Sequence, residues 1–232
     1  RSLTPREMYK SSKLMSEYIL FAVDEKGENI WIAQREGRAK DSSDHTQPSV
    51  LKMLAMGGEG TFIECLKPLN IVPLTISYEY DPCDYLKAKE FQLKRDDPKY
   101  RKSRKDDLEN MKTGIMGFKG RVRYECAPCI NTWLDELEYI PNGYFYEEVA
   151  ARMDREIHRG YTLFPGNYIA ADMLDGSRKH ESHYTAEDEK TFKDYLKGQL
   201  AKIDIPNKDE QFLCDCMLMM YANPVRNKIA AE

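Results

Sequence analysis

The chain opens on a helical pattern. Thr4-Pro-Arg-Glu7 has the form of a capping box with proline at the first helical position, and Met8, Met15, Tyr18, Ile19 and Ala22 then mark one face. The charged stretch from Asp24 to Glu28 breaks that pattern, and Asn29 to Ala33 is a short apolar, β-favouring run that predicts a buried parallel strand. A polar loop from Gln34 to Thr46 follows. Pro48 to Met56 predicts a short helix stopped by Gly57 and Gly58, and Ile71 to Tyr78 predicts a second strand. Helix, strand, helix and strand in alternation predict an α/β fold, with a mainly parallel or mixed sheet flanked by helices.

From Pro82 to Asn110 the chain is helical in propensity and heavily charged. Gly120 to Glu125 alternates and predicts a third strand, after which the C-terminal part turns helical. Phe145, Val149, Met153 and Ile157 form an i, i+4 stripe before Gly160, and Phe192, Leu196, Leu200 and Ile203 form another after a Thr185 cap. The stretch from Asn207 to Glu210 caps a third, methionine-rich helix. Residues 223–232 are expected to be a frayed tail. The organisation expected is a single domain over 1–232, with an α/β part over 1–130 and a helical part over 131–222.

Composition narrows the function classes. Hydrophobic residues at 41% and charged residues at 32% of 232 are globular values and exclude a disordered or collagenous chain. Thirty-five Lys and Arg against 39 Asp and Glu give a net charge of -4, so the whole-molecule field does not favour nucleic acid and any anion site must be local. No stretch approaches the roughly 20 apolar residues of a membrane-spanning helix, and the first residues lack a signal peptide's apolar run. A cytoplasmic chain is expected, in peripheral contact with the inner face of the membrane. Six cysteines suggest reduced thiols rather than a disulfide framework. Cys126 and Cys129 have thioredoxin-like spacing, but at the end of a strand rather than the start of a helix, where a reactive thiolate would be favoured. The four histidines do not complete a zinc set, and no metal is expected.

The loop Gln34-Arg-Glu-Gly-Arg-Ala-Lys-Asp41 carries the most chemistry. It puts three cations, two carboxylates and a glycine just past the end of the first predicted strand, the place where ligands bind in open α/β sheets. Arginine forks match phosphate oxygens, glycine lets backbone approach, and a following helix N-terminus favours an anion. The competing interpretation is a solvated surface loop. The seven basic residues from Lys94 to Lys105 are a second cationic patch, suited either to a solvated helix face or to an anionic membrane or acyl carrier protein. Phe164 and Tyr168 are expected in the core or at a helix cap, and His158 near a helix C-terminus as a dipole contact.

The stretch from Trp31 to Asp41 resembles the third sequence block of the glycerolphosphate and lysophosphatidate O-acyltransferase family, in which a strand runs into a loop that binds the acceptor's phosphate. Ile71 to Glu79 is similar to that family's proline-containing fourth block, and Gly120 to Ile130 resembles the strand and turn that follow. The resemblance covers residues 30 to about 130 and is closest to a bacterial branch. It implies transfer of a fatty acyl group from acyl-CoA or acyl carrier protein, as co-substrate and without further cofactor, to a glycerol-phosphate or lysophospholipid acceptor in phospholipid synthesis. Arg35, Glu36, Gly37, Arg38 and Lys40 would hold the acceptor phosphate, with Arg1 as the end of the second block, and Pro73 would shape the acyl-donor wall. The family's pattern has a residue between Glu-Gly and Arg that Glu36-Gly37-Arg38 lacks, so either Arg35 or Glu36 takes the glutamate's place. The catalytic His-x4-Asp pair is expected upstream of Arg1, which would make this chain an inactive fragment. The one match to that spacing here, His183 with Asp188, falls downstream, and Asp188 is expected to cap a helix through Thr185. The alternative is a non-catalytic module that binds a membrane surface or carrier protein.

Overall fold

A computed structural model of the chain describes residues 3–37 and 39–232. It is 59% helical and 4% strand. The α-helices are α1 (Pro5–Asp24), α2 (Pro48–Ala55), α3 (Phe62–Leu66), α4 (Asp84–Asp96), α5 (Arg104–Met116), α6 (Phe145–Arg159), α7 (Pro165–Asp175), α8 (Ala186–Ala201) and α9 (Glu210–Ala231). Two strands, β1 (Leu74–Tyr78) and β2 (Val122–Cys126), pair antiparallel. The expected α/β fold with a mainly parallel or mixed sheet is therefore wrong. A parallel sheet needs strands apolar on both faces, whereas β1 buries the hydroxyls of Thr75 and Ser77 and β2 is exposed throughout.

The first predicted strand does not form. Trp31 is 73% exposed and Ile30 and Ile32 are 39% exposed, because three apolar residues with no described strand beside them have no ladder to satisfy their backbone. The other two predicted strands exist as β1 and β2, carried between antiparallel neighbours by α4 and α5.

The chain divides into two compact units built from interleaved segments. The described residues before 39, with His45–Thr75 and Cys126–Gly160, form the first; Ala39–Asp44, Ile76–Glu125 and Tyr161–Glu232 form the second.

In the first unit α1 starts where the capping box predicts. The Thr4 hydroxyl accepts from the Glu7 amide and the Glu7 carboxylate accepts from the Thr4 amide at 2.8 Å. Its inward face is Ser16, Ile19 and Ala22, while Met8, Met15 and Tyr18, expected on that face, are exposed. Close approach sets this rotation. The Ser16 hydroxyl donates to the Leu54 carbonyl at 2.7 Å and accepts from the Gly57 amide at 2.8 Å, and a Cβ at Gly57 would lie 2.8 Å from the Ser16 carbonyl carbon. The glycine that stops α2 is thus also what lets α1 pack down. Leu51, Leu66, Ile130, Leu134 and Val149 are buried at the centre of this unit, each stabilising it by about 1.5–3 kcal/mol. The predicted α6 stripe of Phe145, Val149, Met153 and Ile157 is buried, and the Thr75 hydroxyl donates to the Ile157 carbonyl at 2.8 Å.

In the second unit α7, α8 and α9 pack around Ile169, Phe192, Leu196, Leu213, Met217 and Val225. The expected tail at 223–232 is instead the last two turns of α9, with Val225 and Ala231 buried. Pro224 removes one amide from the helix ladder, and apolar burial on either side of it holds the helix together. Asp209, within the predicted cap, accepts from the Phe212 amide at 3.1 Å. Thr185 and Asp188 form a capping box at the start of α8, which accounts for Asp188 as a helix cap.

Candidate functional site

Gln47 ties down the loop that sequence marks for phosphate. Gln47 donates its amide to the Gln34 carbonyl at 2.9 Å, and its side-chain oxygen accepts from the Glu36 amide at 2.8 Å. Arg35, between these ties, is half-buried, and Glu36 and Gly37 are exposed. Gly37 has φ +79°, a conformation that glycine takes without strain. No heavy atom lies within 4 Å of where its Cβ would be, so a ligand can approach the backbone there. Arg35 Nε lies 3.5 Å from the Glu36 carbonyl oxygen. Arg1 and Arg38 lie outside the described residues.

Lys40 does not share this setting. It belongs to the second unit, where its ammonium bonds Glu90, and burial pulls its pKa down against that contact. The charge that was expected to hold phosphate is thus paired with Glu90 here. Pro73 is buried just before β1, and its carbonyl accepts from the Ala127 amide at 2.9 Å.

Next to the loop's anchor stands a group that sequence reasoning missed. His45 Nδ1 lies 3.3 Å from Asp154 Oδ2, and Asp154 Oδ1 accepts from the Thr46 amide at 2.8 Å and the Thr46 hydroxyl at 2.6 Å. Asp154 is nearly buried on α6, and the His45 side chain is 65% exposed. His158, four residues after Asp154, is buried and meets the His45 ring edge-on at 5.7 Å. The sequence signal was the i, i+4 pair Asp154 and His158 on one helix face. His45, 109 residues away in sequence from Asp154, carried none.

No family model, curated protein or solved structure matches the chain. Its chemistry is therefore read from its own residues.

The second unit holds three buried carboxylates, each neutralised differently. Asp84, fully buried at the start of α4, accepts from Tyr195 at 2.7 Å, Tyr221 at 2.8 Å and Gln199 at 2.6 Å. Burial pushes its pKa up to about 6 against the lowering effect of the two phenols. Glu90, two turns on, meets Lys40, Lys94 at 2.8 Å and Lys102 at 2.7 Å. Burial alone would raise its pKa, but the three ammonium groups outweigh it and bring it to about 2. Asp172 is opposed by burial yet held below the usual range by the Ser177 and Tyr184 hydroxyls and the His180 amide. In the same unit His183 stacks on Tyr168, ring centroids 4.2 Å apart, and Phe164 is buried ahead of α7. All six cysteines are free thiols; Cys126 is exposed and Cys129 half-buried.

Proposed function

We propose that the loop at residues 34–38 binds the phosphate of an acceptor to which an acyl group is transferred from a thioester. The observation that carries this reading is the exposed Glu36-Gly37 backbone, with glycine at positive φ, fastened by Gln47 beside the arginine of a stretch that resembles the acyltransferase third block. In this reading Arg35 and Arg38 clamp the phosphate oxygens through charge-assisted bonds, Gly37 lets the phosphate reach the backbone, and Glu36 orients the arginines. Fixing the phosphate fixes the neighbouring hydroxyl, so that its oxygen meets the thioester carbonyl in a productive geometry. The hydroxyl oxygen forms the new ester bond as the carbon–sulfur bond breaks and the thiol leaves. The histidine of the His-x4-Asp block that the resemblance implies takes the hydroxyl's proton and passes it to the departing thiolate, which so leaves as the thiol.

The test is acyl transfer by the full-length protein to a glycerol-phosphate-type acceptor. Arg35→Ala and Arg38→Ala are each expected to lower kcat/KM by about ten- to a hundredfold, the worth of a charged hydrogen bond, with a smaller loss for an unphosphorylated acceptor. Unchanged kcat/KM for the phosphorylated acceptor in both variants would overturn the reading.

A further inference from the structure

α5 is turned inside out. Its half-buried residues are Asp106, Asn110, Thr113 and Gly114, on the side where the Asn110 carbonyl accepts from the Cys83 thiol at 3.4 Å. Leu108, Met111 and Ile115, spaced i, i+3 and i+7 along one face, point outward, with Leu108 63% and Ile115 68% exposed. Met116 at the end of the helix and Phe118 just beyond it continue the exposed apolar surface. Arg104 lies on the same face one turn before Leu108, and Lys105 and Lys112 border it. Of the acids on this helix, Asp106 is engaged in the Ser103 cap, and Asp107 and Glu109 stand on the flanks. The turn before α5 adds Lys99 and Arg101, whereas Lys94 and Lys102 are committed to Glu90.

We propose that this face of α5 docks on an anionic lipid surface, its apolar stripe entering the headgroup layer and its bordering cations meeting lipid phosphates. An apolar stripe edged by lysine and arginine is the pattern of an interfacial helix, and clustered cations near such a surface add attraction that salt weakens. The docking does not depend on the acyl-transfer reading, and it relocates the membrane contact expected at Lys94 to Lys105 onto α5.

The experiment is flotation of the protein with phosphatidylcholine vesicles, with and without about 30% phosphatidylglycerol, at low and physiological salt. Binding is expected to the anionic vesicles alone and to weaken with salt. Ile115→Glu and Lys112→Glu should each lower it about tenfold, with an unchanged urea midpoint because both residues are exposed; Met116→Glu repeats the test should Ile115→Glu perturb the fold. Absence of binding, equal binding to neutral vesicles, or full binding by these variants would overturn the proposal. So would a wild-type dimer in light scattering that Ile115→Glu dissolves, which would make a second copy the occupant.

Discussion

The two units stabilise themselves by different means. The first is built on apolar burial, and the polar side chains it buries among the described residues are the hydroxyls of Ser16, Thr46 and Thr75 and the ring of His158. The second buries the carboxylates Asp84, Glu90 and Asp172 beside a largely apolar core. A buried carboxylate is tolerated only when its partners replace water, and α4 shows two opposite solutions six residues apart. At Asp84 burial outweighs the neutral phenols and amide and leaves a carboxyl that protonates easily; at Glu90 three ammonium groups outweigh burial and leave one that does not. Charge in the second unit therefore acts on stability, whereas the charge of the half-buried Arg35 is the one proposed to bind.

The largest effect is expected at Glu90. Glu90→Leu leaves Lys40, Lys94 and Lys102 facing one another without their anion and should cost about 3 kcal/mol in urea unfolding at neutral pH. In the parent protein this contribution is present above pH 4.5 and lost as pH falls toward 2, because the folded pKa lies below the unfolded one. Asp84 has the opposite slope. Its unfolded pKa is near 3.9 and its folded value about 6, so the folded state holds more protons between them and stability falls as pH rises from about 4 to 6, by about 3 kcal/mol in full. Unfolding curves measured across that range should show the fall in the parent and not in Asp84→Asn; parallel pH dependence in the two would break the contrast drawn between the carboxylates. A smaller effect belongs to the first unit. Gly57→Ala drives a methyl against the Ser16 backbone and should cost about 2 kcal/mol, with no pH dependence between 4 and 7, because no carboxylate takes part.

Local signals in the sequence were reliable. The Thr4 and Thr185 capping boxes, the glycine stop after α2 and the α6 stripe all form as the pattern predicts, because each depends on residues within a turn or two. What depends on distant partners was not legible. Asn29 to Ala33 has the composition of a strand but no strand beside it, and α1 rotates away from its apolar face because Ser16 and Gly57 meet across 41 residues. Residues 223–231 extend α9 because Val225 and Ala231 find a core, which no local rule shows. The candidate site divides the same way. The composition of the Arg35–Gly37 loop was visible, but Gln47 as its anchor, the pairing of His45 with Asp154 and the capture of Lys40 by Glu90 are long-range contacts.

The contrast between a charge proposed to bind and charges that stabilise is tested most directly by measuring acyl transfer and urea unfolding on one preparation of full-length Arg35→Ala. The account predicts a loss of about ten- to a hundredfold in kcat/KM for a phosphorylated acceptor, with an unfolding midpoint equal to the parent's. A midpoint that falls together with the activity would make Arg35 a structural residue, and an activity that does not change would contradict the assignment of the loop to phosphate.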